Sequence, residues 1–286
     1  MRPATFLIPV VSLWAQAPVL ENTGKPIQVP VECGEEQIRA LGLVCAPACP
    51  VYLELSSAEM VANRIFAAGN LHTEATTVES VLLASDDGGA TWREPHARLR
   101  AGGFDQLQFI DLETGWLSGH TLGTLPRDPF LLVTRDGGKT WYQRPVYPDS
   151  RIGLIERYRF ESKTHGMLWI DRTVGAEDGD RYEEYESNNG GESWALKRTS
   201  PKPLAKPAAR PTAPAIRLRP DAGTSSYRVE THTSGRWQPL ASFRVRAGEC
   251  RQPEPVLQPP PEPLEPEAAK PESAKPEPAR PPAREP

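Results

Sequence analysis

The sequence has no apolar run long enough to cross a bilayer, the short stretch at its start included, which excludes a multi-pass membrane protein. It also lacks a surplus of either charge. Its 33 Lys and Arg stand against 37 Asp and Glu, a formal net charge of −4 with mixed signs, so no broad cationic surface exists to neutralise phosphates or grip an anionic membrane. Nucleic acid is therefore not an expected partner. There is no Gly-x-Ser-x-Gly elbow, and the five histidines (His72, His96, His120, His165 and His232) show neither metalloprotease spacing nor a neighbouring ligand cluster. They read as ordinary loop or surface residues. No catalytic residue is assigned, and neither a metal nor a cofactor is expected.

What is abundant is punctuation. With 32 prolines, 22 glycines and 38% hydrophobic residues, the chain reads as a turn-rich β protein carrying at least one unfolded segment. Met1-Arg2-Pro3, the apolar stretch from Thr5 to Trp14 and the small-residue step Ala15-Gln16-Ala17 read as an export signal over 1–17; the other reading is a buried first strand. Cysteine use agrees with a secreted, periplasmic or cell-envelope location. Cys33, Cys45, Cys49 and Cys250 permit two disulfides in three connectivities, and the favoured one joins Cys45 to Cys49 and Cys33 to Cys250, tying the start of the folded region to its end.

The strongest signal is an internal repeat: Ser85-Asp86-Asp87-Gly88-Gly89-Ala90-Thr91-Trp92, Thr134-Arg135-Asp136-Gly137-Gly138-Lys139-Thr140-Trp141 and Ser187-Asn188-Asn189-Gly190-Gly191-Glu192-Ser193-Trp194. The copies recur about every fifty residues, the length of a four-stranded propeller blade. Asp-Gly or Asn-Gly between apolar runs predicts a tight hairpin, because glycine accepts positive φ. The Asp87, Asp136 or Asn189 oxygen can accept backbone N–H groups across the turn. Trp92, Trp141 and Trp194 then open the following strand and are expected in the core. A second pattern, Phe109 to Gly115-Trp116 and Phe160 to Gly166-Met167, predicts turns between earlier strands of each blade.

Strands are expected at Val51–Leu55, Arg64–Ala68, Ser80–Ser85 and Trp92–Arg98, and at Gln106–Asp111, Trp116–His120, Phe130–Thr134 and Trp141–Val146. A third blade should span Ile152–Arg198. Ala215–Val245 gives a weaker fourth, with Thr231 to Trp237 as a decayed fourth copy of the turn, and Ile27–Val31 could add a closing strand. The prediction is an all-β chain: an N-terminal segment over 18–50, then a small β-propeller of four to five four-stranded antiparallel blades over 51–250. The Pro/Ala/Lys stretch from Ser200 to Pro214 and the Pro/Glu/Ala/Lys tail over 251–286 cannot bury enough to fold, and the tail should be a disordered tether reaching on the order of 100 Å.

The eight-residue copies resemble the Asp box (BNR repeat) of sialidases, sortilin-type receptors, several glycoside hydrolases and the photosystem assembly-factor propellers. Gly115-Trp116 and Gly166-Met167 look most like the assembly-factor type, whose members are binding scaffolds. Sialidases of this fold use an arginine triad, a Tyr/Glu pair, an aspartate acid/base and an Arg-Ile-Pro motif. Here Asn63-Arg64-Ile65-Phe66 only partly resembles that motif. The carboxylate pairs Asp171 with Glu177, and Glu183 with Glu184 beside Tyr185, read as solvated charges. Gly137-Gly138-Lys139-Thr140 imitates a phosphate loop, but Val133 stands where its first glycine belongs. The expectation is an exported, non-catalytic, monomeric propeller that binds a protein or glycan through loops on one face. A glycosidase with an axial site is the rival, and a cell-envelope scaffold the third reading.

Overall fold

The computed structural model describes residues 18–31, 33–172, 180–205 and 215–251. The expected export signal and, but for Arg251, the expected tail lie outside them. The chain divides into units 1–252 and 253–286, and every described residue belongs to the first.

Apart from one helix, α1 (Glu35–Ala40), the described elements are strands. In chain order they are β1 (Leu20–Glu21), β2 (Ala48–Val61), β3 (Arg64–His72), β4 (Thr77–Ser85), β5 (Thr91–Trp92), β6 (Leu99–Arg100), β7 (Gly102–Phe109), β8 (Gly115–Leu122) and β9 (Pro126–Thr134). They continue as β10 (Tyr142–Pro145), β11 (Leu154–Phe160), β12 (Gly166–Asp171), β13 (Tyr182–Ser187), β14 (Ala195–Ser200), β15 (Ile216–Asp221), β16 (Ser226–Thr233), β17 (Arg236–Arg244) and β18 (Arg246–Arg251). The protein is a small β-propeller. Sheet one is β18-β2-β3-β4-β6, sheet two β7-β8-β9-β10, sheet three β11-β12-β13-β14 and sheet four β15-β16-β17, with β1 paired to β5.

Three features differ from expectation. The last strand of sheet one does not run from Trp92 to Arg98: Ala84 bridges Arg93, and pairing resumes only at β6. Pro95, which has no N–H to offer a ladder, sits in the interruption. Thr231 to Trp237 is not a fourth copy of the repeated turn. Its centre is a two-residue hairpin loop with φ 52° at Ser234 and 77° at Gly235, and it joins the second and third strands of its sheet, whereas the three copies follow the third. The outer edge of sheet four is met in parallel at a single bridge, Ile27 to Phe243, with Ile27 N donating to Ser242 O at 2.7 Å and Arg244 N to Ile27 O at 2.9 Å.

Residues 20–31 thus strap sheet one to sheet four. Asn22 Nδ2 reaches the carbonyls of Gly89 (2.9 Å) and Leu240 (2.8 Å), one in each sheet. Both disulfides form, Cys33–Cys250 and Cys45–Cys49. Helix α1 is docked by Gln37, whose buried amide donates to Glu79 at 3.1 Å, and Arg98 holds Glu79 (3.0 Å) and Glu94 (2.7 Å) together.

Three apolar clusters fill the spaces between sheets four and one (Val229, Phe243, Leu53), one and two (Phe66, Leu82, Phe104) and two and three (Trp116, Leu131, Tyr158). None joins sheets three and four among the described residues. The register shows why: the row facing the next sheet is Phe66 and Ala84 in sheet one and Trp116 and Val133 in sheet two, but Met167 and Glu186 in sheet three. Glu186 is ion-paired with Lys197 at 2.8 Å. On the same face Trp169, opposite Glu184, is buried, so the far face of sheet three mixes charged residues with one covered ring and carries no apolar cluster among the described residues.

Candidate functional site

Antiparallel sheets sort the connections to two sides. The three repeated turns share one side with the loops joining the first and second strands, and the crossings from sheet one to sheet two and from sheet two to sheet three (residues 93–101 and 145–153) lie on the other.

The turns are built alike. In the first, Ser85 Oγ donates to Asp87 Oδ1 (2.8 Å) and accepts from Gly89 N (2.8 Å), while Thr91 donates its N–H to Asp87 Oδ1 (2.9 Å) and its hydroxyl to Oδ2 (2.6 Å). Thr134, Asp136, Gly138 and Thr140 repeat each contact at 2.9, 2.8, 2.9 and 2.6 Å. In the third, Ser187 Oγ and Ser193 N donate to Asn189 Oδ1 and Gly191 N donates to Ser187 Oγ, but the last bond is reversed: Asn189 Nδ2 donates to Ser193 Oγ at 2.8 Å. The backbone donors of the phosphate-loop mimic are thereby consumed, since Lys139 N and Thr140 N both point at Asp136 Oδ1.

Trp92 and Trp141 are buried, each donating Nε1 to the glycine carbonyl of its own turn (Gly89 and Gly138, both at 3.2 Å). Trp194 is only half-buried and its Nε1 has no partner. The Gly190 carbonyl is taken at 2.9 Å by Trp116 of the preceding sheet.

Hydrogen bonds from Thr91 and Ser85 hold the Asp87 carboxyl down to about 2. Those from Thr140 and Thr134 outweigh burial and do the same for Asp136. Both pKa values lie below their unfolded value, so this stabilisation is complete above about pH 4 and is lost as pH falls through about 2. Urea melts at pH 7, 4 and 2.5 should show an acid loss that Asp136→Asn, copying Asn189, partly flattens. An unchanged acid slope would mean the turn carboxylates do not carry it.

The second repeat has an equally local cause. Phe109 and Phe160 pair directly with Gly115 and Gly166, and a Cβ on those glycines would lie 2.6 and 2.5 Å from the rings. Each ring then stacks on the preceding sheet, Phe109 on Phe66 at 4.7 Å and Phe160 on Trp116 at 3.7 Å. Near the axis, side chains stand in for a ladder. The Gln108 amide donates to Phe160 O (2.6 Å) and accepts from Phe160 N (3.0 Å), Gln106 brackets Tyr158 likewise, and Asn70 brackets Phe104. The sequence reading missed these amides; polar residues at i and i+2 on an otherwise apolar strand were their only signal.

The crossing side carries a polar cluster around Glu183, which the sequence reading took for a solvated charge and the structure buries. Buried Glu183 accepts Tyr147 Oη (2.7 Å) and Tyr185 Oη (2.8 Å), with Arg172 Nη1 at 3.4 Å, and the Arg151 guanidinium lies 4.8 Å over the Tyr147 ring. Burial, then the Glu183 bond, pushes Tyr185 up to about 12 and raises Tyr147 as well. Both phenols therefore stay protonated at neutral pH and act as donors, which is a positioning role. Beside them Arg127 Nη2 reaches Ser150 Oγ at 2.6 Å, and Asp128 accepts Arg151 N at 2.9 Å.

The carboxylate pairs noted in the sequence do not converge. Glu183 and Glu184 are consecutive in β13 and face opposite ways, with Glu184 paired to Arg198. Asp171 is bound by both Arg181 nitrogens at 2.7 and 2.6 Å, and Glu177 lies outside the described residues. Arg64 is spent on structure, holding Asp86 at 2.6 Å and the Gly137 carbonyl of the next sheet. The histidines are not all superficial: His120 is buried, 3.1 Å from Asp105. Among the described residues no group of three or more His, Cys, Asp or Glu could hold a metal ion, and no helix is long and apolar enough to cross a membrane.

The fold defines a small β-propeller that carries two disulfides. No family model matches the chain, and a search of curated proteins finds no match. Among solved structures it is similar to YCF48 bound to a D1 peptide (19% identity, TM-score 0.36, 68% of this chain) and spans 56% of that chain. It is also similar to a Penicillium chrysogenum alpha-L-arabinanase complexed with arabinobiose (14%, TM-score 0.37, 82% of this chain and 71% of that one). A third likeness is to the GH43_1 enzyme from Xanthomonas citri complexed with xylose (11%, TM-score 0.34, 71% and 79%).

Proposed function

We propose that the chain is an exported Asp-box propeller that works as a monomeric, non-catalytic binding scaffold, holding a protein or glycan ligand with the loops on its crossing side. The observation that carries this reading is where the polar groups of the turn side are used. Arg64 ties one turn to the neighbouring sheet, Trp116 ties another, and the Asp and Asn side chains close the turns themselves. That side is framework, and the crossings, with Arg127 and Arg151 above the buried Glu183 cluster, are the part a ligand can meet. Two disulfides suit an oxidising compartment.

The test uses the full chain on a glycan array and in a hydrolysis screen of sialyl, arabinosyl and xylosyl glycosides. Retention without sugar release is expected, with the retained ligand lost from an Arg127→Glu, Arg151→Glu variant of unchanged melting temperature. Sugar release would replace the scaffold with a glycosidase, and a hit indifferent to that variant would move the site off this side.

A further inference from the structure

Of the three repeated turns, only the third carries an amide where the others carry a carboxylate, and its Asn189 is followed by Gly190, the single Asn-Gly step of the sequence. An asparagine before glycine is open to attack by the next backbone nitrogen, because no side chain shields that nitrogen or restricts its rotation. The reaction is intramolecular and consumes only water. Gly190 N bonds to Asn189 Cγ, the Cγ–Nδ2 bond breaks, and Nδ2 leaves as ammonia with the Gly190 amide proton. Water then opens the succinimide. Cleavage of the new bond at Cγ gives aspartate, and cleavage at the main-chain carbonyl carbon gives isoaspartate.

The closed turn blocks the first of these steps. Gly190 N donates to Thr164 O at 2.8 Å, and Gly190 O accepts Trp116 Nε1 at 2.9 Å, so the residue is gripped by a loop of its own sheet and by the preceding sheet. The electrophile is held as well. Asn189 Oδ1 accepts Ser187 Oγ at 2.9 Å and Ser193 N at 3.0 Å, and Nδ2 donates to Ser193 Oγ at 2.8 Å. Attack requires Gly190 N to leave Thr164 and the Asn189 side chain to leave both serines, which means an opened turn. The frequency of such opening is set by the packing of the local unit. Sheet three contributes to an apolar cluster on one face only among the described residues.

The sister turns show what the aspartyl product would meet. The Thr91 and Thr140 hydroxyls donate to Asp87 Oδ2 and Asp136 Oδ2, both at 2.6 Å, and Ser193 Oγ stands at the same place with a proton to give. An aspartate therefore fits the turn. An isoaspartate does not, since it adds a methylene to the main chain and shortens the carboxylate's arm by one carbon. Asp87 and Asp136 also precede glycine, but their carboxyls are ionised at neutral pH, and a carboxylate resists attack by an amide nitrogen.

We infer that Asn189 is a conformation-gated deamidation site, silent while the third turn is closed and converted when that turn opens, with an aspartyl product that restores the bonding of the other two turns. The modification is independent of any ligand on the crossing side.

The experiment incubates the full chain at mildly alkaline pH in native buffer and in concentrated urea, and follows Asn189 by peptide mapping with the aspartyl and isoaspartyl forms separated by chromatography. Conversion at Asn189 is expected to be at least about tenfold faster in urea than in native buffer, the closed turn being the protected state. In urea it should outrun Asn22, Asn63 and Asn70, none of which precedes glycine. Asn189→Asp is expected to fold with a melting temperature at pH 7 no lower than that of the parent chain. Equal rates in the two buffers would overturn the gating, and so would an Asn189 that lags the other asparagines in urea. A lower melting temperature for Asn189→Asp would overturn the fit of the product. None of these outcomes bears on the scaffold reading, which is tested by ligand retention and sugar release.

Discussion

Replacing both Cys33 and Cys250 with serine is expected to lower the unfolding free energy by about 5 kcal/mol, whereas replacing Cys45 and Cys49 should cost about 2 kcal/mol, on the loop-closure entropy each crosslink removes from the unfolded chain. The difference is set by span: Cys33 and Cys250 are 217 residues apart in sequence, Cys45 and Cys49 only 4. The native contacts point the same way. Cys250 lies in β18, which pairs with β2 of sheet one directly after the chain leaves β17 of sheet four. Cys33 follows the strap that joins the same two sheets through Asn22 and Ile27. Losing the long bridge therefore frees the strap from β18 and leaves the join of sheets four and one to the β18–β2 ladder and the apolar cluster between them. Guanidinium melts of the two double variants, each checked for an unchanged m-value, measure the contrast. Equal costs, or a larger one for the short bridge, would show that closure is carried by packing alone.

The repeat was legible because its causes are local. Gly88 and Gly89 need positive φ, Asp87 needs Ser85 and Thr91 within a turn's reach, and Gly115 must lack a Cβ because Phe109 lies across it. Such requirements stay within about eight residues and so appear as spelling. The cysteine pairing could be favoured only on the ground that it suits a ring. What stayed hidden depends on neighbours distant in sequence. Gln106 and Gln108 look like ordinary polar strand residues until β11 is placed beside them, and Tyr147 gives no sign of Glu183. The missing last strand of sheet one was readable in principle from Pro95, but Trp92 drew the strand across it. Arg219 opposite Arg228 is a register fact, and register follows from the Asp221 to Ser226 turn, not from composition.

Trp116→Ala is expected to cost about 3–5 kcal/mol, the usual range for removing a buried large aromatic, while Met167→Ala, at the equivalent row of the next sheet, should cost under about 1 kcal/mol. Trp116 is fully buried, stacks on Phe160 at 3.7 Å and donates Nε1 to Gly190 O at 2.9 Å, so its loss opens a cavity between sheets two and three and strands a buried carbonyl. Met167 is only half-buried and has Glu186 as its row neighbour in place of Val133. Trp116→Phe separates the terms: it keeps the stack and loses the hydrogen bond, for about 1 kcal/mol. Denaturant melts of the three variants measure the series. If Met167→Ala proves as costly as Trp116→Ala, an apolar surface must cover Met167 as well as Trp169 on the far face of sheet three. If it is mild, sheets three and four are joined by chain and not by core, and the ring depends on its strap and its long disulfide to hold the remaining sheets in place.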